Sequence, residues 1–248
     1  MKLIKTMFVL LLAVSFVSCG TGKGKKDAEK KSTEAEVWTF LFDGSGTHGW
    51  RNYNKTIFPE QGWEVVDGTL HCIGSGRGEA GGGGGDIIYD KKFSNFHLKL
   101  EWKISEGGNS GIFYLAQEGP EWDYIYKTAP EMQVLDNERH PDAEAGKDGN
   151  RQAGSLYDLI PANPQNAKPA GEWNTAEIKV YKGSVWHIQN GETILEYHLW
   201  TPEWNNLVAG SKFPALNPDW ANVASEGYIG LQDHGDDVWY RNVQIREL

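Results

Sequence analysis

The chain has 248 residues, of which 39% are hydrophobic, 12% aromatic and 23% charged, enough apolar surface for one sizeable core and too much for a disordered polypeptide. Its formal net charge of −10, or −12 without the two lysines of the N-terminal segment, argues against nucleic acid or anionic lipid surfaces as partners. Eleven Trp, ten Tyr and nine Phe are more than a core of this size demands, and such rings stack well on flat apolar faces like those of sugars.

The first residues, MKLIKTMFVLLLAVSFVSCG, set Lys2 and Lys5 before an apolar run from Met7 to Val17. This pattern predicts a secretory signal that is too short to span a membrane. Phe16-Val17-Ser18-Cys19 resembles a bacterial lipobox, so the expected signal covers 1–18 and Cys19 becomes the lipidated first residue. An ordinary signal cleaved nearby is the alternative. Residues 19–36 contain no aromatic and no large aliphatic side chain, which predicts a flexible tether. These features place the protein in the bacterial cell envelope, extracytoplasmic, at the periplasmic or outer-membrane surface. Its contact with the membrane is then made by the lipid alone. One folded domain follows, over 37–248. Cys72 is the only other cysteine, so an intramolecular disulfide is not expected, and its alternating context GTLHCIG suggests a buried small residue.

Along this domain period-two alternation recurs and no sustained helical period is found. GSGRGEAGGGGG, over 74–85, reads as a loop: no Lys-Ser/Thr closes it as a phosphate loop would require. FHLKLEWKI puts Phe96, Leu98, Leu100 and Trp102 on one face and His97, Lys99, Glu101 and Lys103 on the other. In EMQVL, Glu131, Gln133 and Leu135 share a face opposite Met132 and Val134. Residues 140–153 and 160–171 read as loops. Two runs flank Lys182-Gly183, and Asn190-Gly191 supplies a hairpin turn. An insertion rich in Trp and Pro, Trp200 to Asn222, is placed to wall a cleft, and the alternation then resumes to the C-terminus with a turn near Gly235. Strands so spaced predict an all-β antiparallel sandwich or jelly roll.

The ordered motifs LFDG…GW, GNSGIFY, EMQVLDNERHPD, SLYDL, GEWN, WHIQNGE and GYIGLQDHGDDVWYRNVQI, spread over 37–248, resemble the 3-keto-disaccharide hydrolase family. The resemblance implies a concanavalin A-like jelly-roll sandwich of two curved antiparallel sheets with a ligand groove on the concave face. It also implies cleavage of glycosides oxidised at the sugar C3. One departure is Tyr114-Leu115-Ala116 after GNSGIF, where many members carry an Arg.

A ketone at C3 acidifies the C2 hydrogen, so the bond at C1 can break by elimination, and water can then add. Such chemistry needs a base at C2, charge stabilisation for the enolate oxygen and an acid for the leaving group. Glu131 is the first candidate for base or acid and Gln133 for a hydroxyl contact; a surface Glu in an ion pair is the plainer reading, and the resemblance favours the first. His140 titrates in the range for proton transfer, or is a satisfied structural His. Asp136 either orients His140 and binds substrate or caps the turn. Glu101 is a second groove carboxylate or part of a solvated face. Asn109 and Ser110 read as ligand contacts, with Gly111 permitting close backbone packing. Asp233 and His234 form a second acid–base pair or an Asx-turn, Arg77 is a cation that could reach in to stabilise charge, and Trp122 and Tyr157 are stacking platforms or core. Asp136, Glu138, His140 and Asp142 show no His-x-His and no close Glu-x-x-His spacing, so neither a metal nor another cofactor is predicted, a structural Ca²⁺ remaining open for this type of fold. A lectin-like binding module and a classical glycosidase using Glu131 and Glu101 are the rival functions.

Overall fold

The computed structural model describes residues 37–77 and 83–248. The expected signal, Cys19, the tether and residues 78–82 of the Gly-rich stretch lie outside the described residues. The strands are β1 (Thr39–Phe42), β2 (Trp50–Asn52), β3 (Trp63–Val66), β4 (Thr69–Cys72), β5 (Ile87–Tyr89), β6 (Phe96–Ile104), β7 (Asn109–Ala116), β8 (Glu131–Leu135), β9 (Asn174–Tyr181), β10 (Ser184–Gln189), β11 (Glu192–His198), β12 (Tyr228–Leu231) and β13 (Val238–Glu247). Two short helices, α1 (Pro202–Ala209) and α2 (Phe213–Leu216), interrupt them between β11 and β12. Among the described residues no helix is long and apolar enough to cross a membrane.

The larger sheet runs β11-β10-β9-β6-β13-β4-β3, with β1 paired to the second half of β13, and the smaller runs β2-β5-β12-β7-β8. All pairings are antiparallel, so the chain is the expected all-β jelly-roll sandwich. Alternation decides the faces: β6 buries Phe96, Leu98, Leu100, Trp102 and Ile104 and turns the residues between them outward. Each such side chain contributes roughly 1.5–3 kcal/mol on burial. The expected Asn190-Gly191 hairpin turn forms and Lys182-Gly183 makes another, with all four residues at positive φ, the conformation that a two-residue turn needs to follow the strand twist.

β7 belongs to the middle of the smaller sheet and is buried on both sides. Ile112 and Tyr114 enter the core between the sheets, whereas Phe113 joins a second cluster with Tyr53, Ile88, Ala116, Ile125 and Ala129. Polar bonds also pin the sheets together. Ser110 Oγ donates to the Gln232 carbonyl at 2.8 Å and meets Tyr240 Oη at 2.7 Å. Tyr114 Oη lies 2.8 Å from His187 Nε2 and 2.6 Å from Tyr197 Oη, while His187 Nδ1 donates to the Gly154 carbonyl at 2.9 Å.

The C-terminal alternation does not make a hairpin. β12 lies in the smaller sheet and β13 in the larger, so residues 232–237 cross between sheets. Asp233 holds this crossing: fully buried, it accepts from the amides of Gly84, Gly85 and Gly235 at 2.9, 2.8 and 3.0 Å.

Candidate active site

Met132 and Val134 of β8 face the intersheet core, so Glu131 and Gln133 face away from the larger sheet. Leu135, expected beside them, joins the core cluster instead. A cavity of about 220 Å³ opens on this outer face, lined by Asn109, Glu131, Gln133, Gln232 and His234 below and by Tyr126, Tyr157, Lys212, Phe213 and Leu216 around it.

Sheet register and one neighbouring segment position the floor. Gln133 N donates to the Ser155 carbonyl, Gly154 N to the Gln133 carbonyl and Tyr157 N to the Glu131 carbonyl, at 3.1, 2.8 and 3.1 Å, which extends the sheet edge and sets Tyr157 beside Glu131. Across the strand pair Gly111 lies opposite Gln133. A Cβ on Gly111 would fall 2.7 Å from Glu131 Cδ and 2.8 Å from Cγ, so the glycine makes room for the Glu131 side chain. Glu131 is 6% exposed. Asn109 Oδ1 and Gln133 Nε2 are buried with no hydrogen-bond partner among the described residues. One acceptor and one donor in a cavity of this size match what sugar hydroxyls require.

His140 and His234 meet beside this floor, ring centres 6.0 Å apart and nearly perpendicular. Nδ1 of His140 accepts from the Asp142 amide at 3.1 Å and so caps a short 3-10 turn. Burial, against the pull of Asp142 and reinforced by His234, lowers the His140 pKa from its ordinary value. His234 Nε2 is 3.4 Å from Asn109 Nδ2. His140, His234 and Asp236 each offer a ligand atom, and these atoms lie within 4.8 Å of one another. Two imidazoles and a carboxylate are a donor set suited to a divalent metal. Local spacing gave no hint of such a group because the fold, not the sequence interval, brings 140 to 234.

The remaining expected residues separate. Glu101 projects from the outer face of the larger sheet, where Arg241 holds it at 2.6 and 2.9 Å and Asn242 at 2.6 Å, so its groove placement is corrected to the solvated-face alternative. Ser110 points into the intersheet core and is unavailable to a ligand. Asp136 accepts from the amides of Gly107 and Glu138 at 2.7 and 3.1 Å; burial opposes ionisation, yet these bonds and Arg139 hold its carboxyl below the usual range. It caps the turn, and Asp233 likewise is occupied by backbone amides. Arg77 lies exposed in the Gly-rich loop, away from the cavity lining. Trp122 lines a different, open groove with Arg51, Tyr53 and Glu118. Tyr157 does line the cavity, with its hydroxyl on Asp142 at 3.0 Å. Cys72 is buried, as its context suggested.

The sequence reading missed Tyr126, Lys212, Phe213, Leu216 and Gln232. Gln232 was within reach: Ile229 and Leu231 point to the core, which leaves Gln232 and His234 on the opposite face. The other four come from short helical turns and their flanks, too brief to carry a periodic signal.

Two antiparallel sheets packed face to face, almost without helix, define a jelly-roll β-sandwich. A Bacillus subtilis protein of unknown function with a galectin-like fold is similar in fold alone, with a TM-score of 0.51 at 15% identity over 80% of this chain and 89% of that one. The chain belongs to the family of 3-keto-alpha-glucoside-1,2-lyase-like domains, whose sequence model matches residues 37–246. A 3-keto-disaccharide hydrolase of Bacteroides thetaiotaomicron is 51% identical over 253 residues, spanning 94% of this chain and 87% of that protein. The crystal structure of a candidate glycosyl hydrolase from Parabacteroides distasonis is similar at a TM-score of 0.75 and 32% identity, covering 86% of this chain and 95% of that one.

Proposed function

We propose that this protein cleaves the glycosidic bond of 3-keto-disaccharides in the cavity on the smaller sheet, with Glu131 as the base at C2. The observation that carries the reading is the Glu131 carboxylate, buried against Gly111 and flanked by the unpartnered Asn109 Oδ1 and Gln133 Nε2. The half-identical 3-keto-disaccharide hydrolase supports the substrate class. In the proposed sequence Glu131 takes the C2 proton, and the C–H electron pair forms the C2–C3 double bond as the carbonyl oxygen becomes an enolate. The carbonyl then re-forms, the C1–O bond breaks to leave a C1–C2 double bond, and the aglycone oxygen departs with a proton from water. Addition of water across that double bond gives the 3-keto sugar, so the net reaction is hydrolysis. A classical glycosidase needs two carboxylates flanking the bond; among the described residues that line the cavity Glu131 is the single one. Cys19 is proposed to carry the lipid that keeps the enzyme at the cell envelope.

The test incubates the purified protein with a 3-keto-disaccharide and its unoxidised parent and follows aglycone release for wild type and Glu131→Gln. Release from the keto sugar alone, lost in the variant, is expected. Equal release from both sugars would move the assignment to a classical glycosidase, and binding without release would make the domain a lectin.

A further inference from the structure

Lys212 is the only Lys or Arg among the described residues lining the cavity. It stands on the α1–α2 wall, and its Nζ donates to Tyr157 Oη at 3.1 Å, 4.3 Å from the centre of that ring. Two of the three acids around it, Asp158 and Asp142, are engaged elsewhere, and the third is Glu131. Asp158 takes Arg151 Nε at 2.6 Å, and Asp142 is shared by Arg151 at 3.4 Å and the Tyr157 hydroxyl at 3.0 Å. Among the described residues Lys212 makes no ion pair of its own. An ammonium in a cavity wall, with one neutral partner for its three N–H groups, is set for an anion brought by the ligand.

Resting on the chemistry proposed above, we infer that Lys212 is a catalytic residue, the cation that holds the negative charge formed on the substrate's C3 oxygen. The sequence reading gave that role to Arg77, which the fold keeps away from the cavity. When the C2–H bond breaks towards Glu131, the carbonyl π pair moves onto the C3 oxygen, and a Lys212 N–H donates to it. As the carbonyl re-forms and the C1–O bond breaks, that hydrogen bond weakens, and Lys212 keeps its proton throughout. Donors fixed in advance around a developing oxyanion need no reorganisation when the charge forms. Lys212 as a whole is exposed, and partial desolvation of its ammonium lowers the pKa, with Arg151 in the same direction and Asp158, Glu131 and Asp142 opposing.

The experiment compares the purified full chain with Lys212→Met, which keeps the apolar stem on Tyr157, and Lys212→Arg, which keeps the charge. Lys212→Met is expected to lower kcat on a 3-keto-α-glucoside about 100-fold, and Lys212→Arg to recover at least roughly tenfold of that. The isotope effect from deuterium at C2 should rise in Lys212→Met, because enolate formation becomes slower than the later steps. The unoxidised parent, which has no ketone, should bind all forms within about twofold. Wild-type turnover in Lys212→Met, or a loss matched by equal loss of parent binding, would overturn the inference and leave Lys212 as a packing or binding residue. Should Lys212→Met fail to fold, Lys212→Gln is read in the same way. Wild type that releases nothing from the keto sugar overturns the function itself, an outcome distinct from an active wild type indifferent to Lys212.

Discussion

Gly111→Ala separates the fold from the chemistry more cleanly than any change to Glu131 itself. The added methyl would sit 2.7 Å from Glu131 Cδ, with Oε1 nearer still. Ordinary contact begins at 3.4 Å, so the carboxyl carbon must retreat by at least about 0.7 Å and its nearer oxygen by more. Displacements of ~1 Å at a reacting group cost on the order of 100-fold in rate, or about 2.7 kcal/mol in the barrier. The backbone at 111 is not in the left-handed region, so alanine is tolerated there and folding stability should change by about 1 kcal/mol or less. Aglycone release from a 3-keto-disaccharide, measured beside a urea unfolding curve, reads both numbers. A stable variant with undiminished turnover would refute the placement of Glu131 as the reacting base. A variant that loses stability in proportion to activity would show that Glu131 serves the fold instead.

His187 is fully buried, and desolvation, only partly offset by its bond to Gly154, lowers its pKa to about 4. The unfolded chain takes up this proton below about 6.5 and the folded chain does not until about 4, so about 3 kcal/mol of stability is lost as pH falls through that window. The stability gap between wild type and His187→Gln in urea titrations should therefore narrow from pH 7 to pH 4; a gap independent of pH would contradict it. Asp233→Ala strands the amides of Gly84, Gly85 and Gly235 and should cost roughly 2 kcal/mol in urea unfolding, with faster proteolysis within 74–85. A variant as stable and protease-resistant as wild type would show that water replaces the carboxylate there. Glu101→Gln loses only a partly exposed ion pair with Arg241, so turnover within about twofold of wild type is expected, whereas a collapse in kcat would return Glu101 to the chemistry.

Where the chain repeats a period, the sequence was sufficient. Alternation in 96–104 and 131–134 assigned the faces, failing only at Leu135 where the strand ends, and Asn190-Gly191 fixed a hairpin, because strand geometry and turn conformation are local properties. Alternation cannot tell which sheet a strand joins. Glu101 and Glu131 both occupy outward positions, yet they lie on opposite outer faces of the sandwich, and Ser110 lies one residue from the cavity but on its far side. Asp136 and Asp233, expected to reach a ligand, are found elsewhere because a short carboxylate in a turn is equally suited to backbone amides and to a sugar, while Arg77 and Trp122 sit in loops whose direction no period records. Lys212 and the meeting of His140 with His234 depend on contacts across distant parts of the chain, which no local window records.

The cavity has two origins in the chain. Its floor is fixed by ladder register, since Asn109, Glu131 and Gln133 cannot shift without moving β7 and β8 together. Much of its wall is an insertion between β11 and β12, packed through Trp204, Trp220 and Phe213 and tied by Trp220 Nε1 to the carbonyl of Tyr126, which with Tyr157 completes the wall. Such a wall can change at its exposed positions, such as Leu216, while the Glu131 carboxyl stays in register. On the chemistry proposed for Glu131, relatives that share this floor can differ in the sugars they accept through changes in the wall, with the step at C2 left untouched.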